Sequence, residues 1–292
     1  MDAKFHSAIN AIKSGDAGRL KELLRQDPSL ATGRSATSHP TLLQCLVLDG
    51  KDSPHRVEMA GILIDAGAGL NGPLGACASC DNVEVAALLL DRGAAVNGAG
   101  GWSPLEEALY WNSQGVKALL LGRGASIHNL RIAAGLGRTD SIEAFFDSDG
   151  SLKAGAGRID WPWGGLDAIS QSNFSQEGKE KLASRVRSWA GDNQDIINNA
   201  FVYACMHGHI DAAKLLLRKG AQIDAIPGGF DYSGTALHYA ALNGRQTMAE
   251  FLVEQGADAS IEDTKVGGTP AGWAEYGGHL EIKTYLERIV HG

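Results

Sequence analysis

The stretch GTALHYAALNGRQTMAEFLVEQGADA, residues 234–259, decides the fold. Thr235 opens it with a hydroxyl, Ala240 and Ala241 are small, and Gly244 follows. An apolar run then leads to Gly256-Ala257. This reads as two short helices joined at a glycine, which suits a left-handed helix end. Working outward, the same order recurs in WSPLEEALYWNSQGVKALLLGRGAS, GPLGACASCDNVEVAALLLDRGAAV, NAFVYACMHGHIDAAKLLLRKGAQI and GTPAGWAEYGGHLEIKTYLERI. The mid-repeat position falls at Gly15, Gly50, Asp81, Asn112, Gly137, Gly208, Gly244 and Gly278, with Asp81 and Asn112 replacing glycine. The intervals are 35, 31, 31, 25, 71, 36 and 34 residues.

These units resemble ankyrin repeats, whose pattern runs G-x-T-P-L-H-x-A-A-x-x-G-H, then an apolar helix and G-A-D. The resemblance implies an all-α solenoid of about eight helix-turn-helix repeats. The physics of each unit agrees. The hydroxyls of Ser103 and Thr269 are placed to cap a helix whose first residue is Pro104 or Pro270. Val116, Leu119 and Leu120 form a helical stripe, and each helix pair leaves an apolar face that only a neighbouring repeat can cover. The 25-residue interval shortens the turn before the fifth repeat, and the 71-residue interval contains an insertion. The expected organisation is five repeats over 1–152, an insertion over 153–195, and three repeats over 196–292. The insertion carries Trp161 and Trp163 in a Gly-rich front half. Its back half predicts a helix near Ser175–Trp189, where Leu182, Val186 and Trp189 share one face. The tryptophans are expected to pack on the solenoid, as a possible lid over its groove.

Composition narrows the class. The chain has 292 residues, 44% of them hydrophobic and 21% charged, an ordinary globular balance. A net charge of −8 argues against nucleic-acid binding. Apolar runs are short, such as Val85–Leu90, which argues against a membrane span. The N-terminal residues hold no apolar signal core, so a cytoplasmic protein is expected. Four cysteines in such a length make no disulfide framework.

The resemblance implies that partners bind a concave face lined by the first helices and by the hairpin fingers that precede them. Numbering the motif from its Thr, positions 5, 8 and 9 share one helix face. They read as Glu107, Tyr110 and Trp111 in repeat four, and Tyr203, Met206 and His207 in repeat six. In repeat seven they are Tyr239, Leu242 and Asn243, and in repeat eight Trp273, Tyr276 and Gly277. Trp102, Phe230, Asp231 and Tyr232 fall on fingers, and Glu106 and Arg131 replace the family's histidine at position 4. The expected ligand-binding set is Trp102, Glu106, Tyr110, Trp111, Arg131, Trp161, Trp163, Tyr203, Phe230, Asp231, Tyr232, Tyr239, Trp273 and Tyr276.

Two readings of function follow. The first is a non-catalytic recognition scaffold binding a peptide, protein or small organic ligand on an aromatic groove. The alternative is an acid–base enzyme, a hydrolase, lyase or isomerase of a small organic molecule. There Glu107, His207 and Asp160 would move protons in a pocket closed by the insertion. Against each functional role stands a structural one: Glu107 as a finger tether, Tyr203 and Tyr239 as packing between helices. His238, His209 and His279 match family histidines that tie neighbouring repeats together. Cys77-x-x-Cys80 stands without further ligands at zinc spacing, so Cys77 reads as small packing, and neither metal nor cofactor is expected.

Overall fold

The computed structural model describes residues 3–35, 40–50, 53, 55–159, 169, 175–189 and 191–291. Regular structure among them is helical, apart from one antiparallel bridge between Phe146 and Leu152. The helices are α1 (His6–Ser14), α2 (Ala17–Gln26), α3 (Ser29–Thr32), α4 (Leu42–Leu48), α5 (Arg56–Asp65) and α6 (Asn71–Ser79). Next come α7 (Val83–Asp91), α8 (Pro104–Tyr110), α9 (Gln114–Gly122), α10 (Leu130–Gly135) and α11 (Thr139–Ala144). The remainder are α12 (Gln176–Ser188), α13 (Asn193–Met206), α14 (Ile210–Arg218), α15 (Ala236–Leu242), α16 (Gln246–Glu254), α17 (Pro270–Tyr276) and α18 (Leu280–His291).

The chain divides into two compact units, Met1–Ser126 with Leu166–Lys181, and Ile127–Gly165 with Leu182–Gly292. In the first, α1, α4, α6 and α8 pack side by side in one row, and α2, α5, α7 and α9 form a second row behind them. The core between the rows holds Leu20, Leu43, Leu46, Leu63, Leu74, Leu89, Leu105 and Leu120, all buried. In the second unit the first row is α10, α13, α15 and α17. Helix α10 packs directly on α13, so repeats five and six are neighbours despite the long segment between them. His209 Nε2 lies 3.1 Å from the Gly135 carbonyl oxygen across that contact. Small residues make the first row close: Ala133, Ala134, Ala204, Cys205, Ala240 and Ala241 are all buried.

The turn inside each helix pair explains the repeat register. Gly15, Gly137, Gly208, Gly244 and Gly278 have φ of 72°, 66°, 77°, 68° and 78°. Asp81 and Asn112, which replace glycine, adopt the same left-handed conformation at 54° and 57°. Gly50 is the exception and does not take a positive φ. At Gly244 a second constraint applies, because a Cβ would come 2.5 Å from the His279 ring of the next repeat. At Asp81 the neighbour contact is rebuilt with other groups. Its carboxylate accepts from Gly115 N at 3.2 Å and Val116 N at 2.7 Å, capping α9 from the preceding repeat. Ser113, at the N-cap of α9, makes no side-chain cap of its own. Gly115 permits this, since a Cβ there would sit 3.2 Å from Asp81 Oδ1 and 2.5 Å from Val83 Cγ2.

Helix starts follow from the sequence. Ser103 accepts from Glu106 N with Pro104 in the first turn, and Thr269 accepts from Gly272 N with Pro270 in the first turn. Each such cap contributes about 1 kcal/mol. Asn129 caps α10 by accepting from Ile132 N. In the segment set off as an insertion, α12 covers the expected helix near Ser175–Trp189. Helix α13 starts earlier than the repeat motif places it, at Asn193, where Asp192 accepts from Asp195 N.

Substituting alanine for Gly244 adds left-handed strain of about 1–2 kcal/mol, to which the collision with His279 adds more. Urea unfolding of Gly244→Ala is expected to show a loss above that range, and Asn112→Gly a change within about 0.5 kcal/mol of wild type. Equal effects at both positions would contradict this account of the turn.

Candidate functional site

In the first unit, α8 and the finger before it assemble one cluster. Ser103 and Glu106 form a capping box: Ser103 N and Oγ both donate to Glu106 Oε2 at 2.9 Å, and Glu106 N donates to Ser103 Oγ at 3.2 Å. That fixes the first turn and therefore the direction of the next side chain, Glu107. The Glu107 carboxylate is 5% exposed and takes one indole N–H on each oxygen. Trp102 Nε1, from the finger, donates to Oε2 at 2.7 Å. Trp111 Nε1, one helical turn on, donates to Oε1 at 2.9 Å. Tyr110 stands edge-on to both indoles, with centroids 6.2 Å from Trp102 and 5.3 Å from Trp111 and planes at 74° in each case. Trp111 is 48% exposed although its N–H is bound. Two N–H donors to a charged acceptor offset the cost of burying that carboxylate.

The second unit builds a different cluster around the finger before α15. Phe230 is buried between Tyr203 and Tyr239, at centroid distances of 5.2 and 4.7 Å. Tyr239 lies 5.1 Å from Trp273, and its hydroxyl donates to the Tyr232 carbonyl. Arg185 of α12 pins this finger from outside, donating to the carbonyls of Phe230 at 2.9 Å and Asp231 at 2.6 Å, and to Ser233 Oγ at 2.7 Å. Asp231 pairs with Lys265 at 3.1 Å. Lys265 Nζ also lies 3.9 Å over the ring of Tyr232, which is 47% exposed. On the next finger, Asp263 accepts from the backbone N–H groups of Lys265, Val266 and Gly268 and from Trp273 Nε1 at 2.9 Å. Burial pushes the Asp263 carboxyl up, but those donors outweigh it and hold it at about 2.

Among the described residues, seven of the eight helix pairs turn through a left-handed residue, and they meet a family description at this point: a model of ankyrin repeats matches residues 179–263, in three copies. Residues 179–263 of the chain are ankyrin repeats. The chain is similar to palmitoyltransferase AKR1 of Lachancea kluyveri, 26% identical over 125 residues, which are 41% of this chain and 16% of that protein. It is also similar to potassium channel AKT3 of Oryza sativa subsp. japonica, 43% identical over 75 residues, 25% of this chain and 8% of that protein. The chain thus spans less than a fifth of the length of these curated relatives. What their names say they do belongs to those proteins.

In repeats four, seven and eight, position 5 of the ankyrin motif proves to be a tether. Glu107 holds Trp102, Tyr239 holds the Tyr232 carbonyl, and Trp273 holds Asp263, each binding the finger that precedes its own helix. The expectation that position 5 lines an open groove is therefore corrected for Glu107, Tyr203, Tyr239 and Trp273, all of them buried. Tyr203 is 0% exposed, and Phe230 and His207 are also interior. Glu106 is committed to its capping box, and Arg131 is buried with Nη2 donating to the Arg158 carbonyl at 2.6 Å, so neither faces a groove. Solvent instead meets Trp111, Tyr232 and Tyr276, the last 88% exposed. Tyr110 and Trp102 are half-buried. Glu107 belongs to the first unit and His207 to the second. Asp160, Trp161 and Trp163 lie outside the described residues.

Sequence reasoning missed Arg185, and it placed Asp263 and Lys265 on a finger without the buried role of Asp263. Arg185 sits 45 residues from the carbonyl that it binds, and no local pattern marks it. All four cysteines are free thiols, and burial pushes those of Cys77 and Cys205 upward. Among the described residues no group of three His, Cys, Asp or Glu side chains is placed to hold a metal ion. No helix of the described residues is long and apolar enough to cross a membrane.

His238 fills the family's histidine position and ties repeat seven to repeat eight. Its Nδ1 accepts from Thr235 N at 3.1 Å, and its Nε2 faces the Gly268 carbonyl at 3.0 Å. Burial lowers its pKa from 6.5, with the Gly268 bond and nearby Asp263 opposing. The folded protein therefore binds this proton more weakly than the unfolded chain. The associated stability is present above about pH 6.5 and is lost as pH falls through that value toward the folded pKa. Thermal melts of wild type and His238→Gln between pH 7.5 and 5 are expected to converge on acidification. A difference that stays constant or widens would refute the assignment.

Proposed function

We propose that this ankyrin-repeat chain is a protein-interaction scaffold, and that its first unit recognises a peptide segment of a partner protein through Trp111, Tyr110 and Trp102. The observation that carries the reading is that Trp111 is 48% exposed while its N–H is held by Glu107. A large ring presented to solvent in a fixed pose loses little entropy when a partner covers it. Aromatic anchors of this kind dominate binding energy at interfaces. The ankyrin match supports the scaffold reading, because such repeats serve as protein-interaction modules. The acid–base alternative has less behind it. Both Glu107 oxygens already accept from indole N–H groups, which do not titrate, and this suits a tether better than a proton shuttle. Four free thiols fit a reducing compartment such as the cytoplasm.

Peptides selected from a random display library on the full chain provide the test. Calorimetric affinities for the best of them are expected to fall at least about tenfold in Trp111→Ala, with the melting curve retained. Affinity unchanged in both Trp111→Ala and Tyr110→Ala would overturn the proposed site.

A further inference from the structure

We infer that the cleft between the second helices of repeats seven and eight, α16 and α18, binds an arginine side chain of a partner protein. The cleft belongs to the second unit and owes nothing to the aromatic site of the first. The first helices α15 and α17 pack closely, whereas α16 and α18 touch at few points. The gap left between them is a cleft of about 450 Å³, a size that suits a ligand or a partner side chain. Glu250 of α16 forms one wall, with Leu280, Glu281 and Tyr285 of α18 opposite.

The lining is rich in acceptors and poor in donors. Gln246 Nε2 donates to Glu250 Oε1 at 2.6 Å, which orients that carboxylate, and Gln246 Oε1 is buried without a hydrogen-bond partner. Thr284 spends its hydroxyl hydrogen on the Leu280 carbonyl at 2.9 Å, so it offers the cleft only lone pairs. Arg288 also lines the cleft, 5.9 Å from the Tyr285 centroid. Among the described residues it forms no ion pair with Glu250 or Glu281, and those carboxylates pair with no other cation. Lys283, the other cation of this stretch, is taken by Glu275 at 2.8 Å and Glu287 at 3.8 Å. Tyr285 reports the balance of charge: burial raises its hydroxyl pKa, Glu250 and Glu254 raise it further, and Arg288 opposes them. Negative charge therefore prevails around the ring.

An arginine complements each of these features. Its stem covers Leu280, which is 62% exposed. Its planar head lies against the Tyr285 ring, and its fan of N–H groups supplies the donors that the walls lack. Donors pointing in several directions reach carboxylates on both helices, which the compact ammonium of a lysine does less well. An apolar side chain would use Leu280 and leave the carboxylates uncompensated, and an acidic one would be repelled.

The test follows the amide resonances of the isotope-labelled full chain during titration with short blocked Gly/Ser peptides that differ only at the centre: arginine, citrulline or lysine. Citrulline keeps the shape of arginine without its charge. The arginine peptide is expected to shift amides of α16 and α18 and to bind at least about threefold more tightly than the citrulline peptide, a modest ratio because water reaches the carboxylates. Glu281→Gln should reduce that advantage, and Arg288→Gln, which removes a like charge from the cleft, should increase it. Both side chains are exposed, so neither change threatens the fold. Trp111→Ala should leave the shifts as they are, which keeps this site separate from the aromatic one. Equal binding of the arginine and citrulline peptides, shifts confined to other helices, or no shift with any peptide would overturn the cleft. Insensitivity of the affinity to both Glu281→Gln and Arg288→Gln would do the same. A lysine peptide that binds as tightly as the arginine peptide would overturn the choice of arginine.

Discussion

In repeats four, seven and eight, the hydrogen bond between the fifth motif position of the first helix and the finger ahead of it is the constraint on which both aromatic clusters depend. The bond ties each of these Gly-containing loops to the helix that follows it. Glu107, Tyr239 and Trp273 meet the requirement with three chemistries: a carboxylate receiving an indole, a phenol donating to a carbonyl, and an indole donating to a carboxylate. The pairing in repeat four is inverted relative to repeat eight. In one the helix supplies the acid and the finger the tryptophan, and in the other the reverse holds. Inversion has a functional side. Placing the acid on the helix leaves Trp111 free to share it, and so an aromatic ring is held at the surface.

Stacking of repeats obeys a second rule with equally varied chemistry. The left-handed turns at Gly137, Gly208 and Gly244 each accommodate a group from the following repeat. A histidine ring lies against Gly137 and against Gly244, and an arginine stem against Gly208. Arg245 also donates to the Met206 carbonyl at 3.1 Å, which closes the turn of repeat six from repeat seven. His209 and Arg245 thereby tie carbonyls of repeats five and six to the repeat that follows each. The outer helices of the first unit add exposed ion pairs, Arg56 with Glu84 and Arg123 with Asp91, whose individual contributions are small.

Much of this is legible in the sequence. The repeat register could be read through Asp81 and Asn112 because both residue types tolerate a left-handed φ, and both adopt it. The shared face of Glu107, Tyr110 and Trp111 follows from i+3 and i+4 spacing. What periodicity does not convey is depth. A helix face is defined by angle, whereas burial depends on what the fingers lay over it. Tyr203 and Trp111 hold positions 5 and 9 of the same motif, yet the first is 0% and the second 48% exposed. Glu106 looked available because it replaces a histidine, and the capping box consumes it. Arg185 was illegible for another reason: its partners are backbone carbonyls, which no sequence pattern displays.

The exchange at Asp81 reaches beyond its own turn. Its carboxylate ends on two amides of the following repeat, and it can approach only because Gly115 has no side chain. The two positions form a lock split across a boundary. Repeats three and four are therefore not interchangeable cassettes. Anyone shuffling or transplanting the fourth would have to move its predecessor's aspartate with it, or supply a new hydroxyl or carboxylate to cap the transplanted helix.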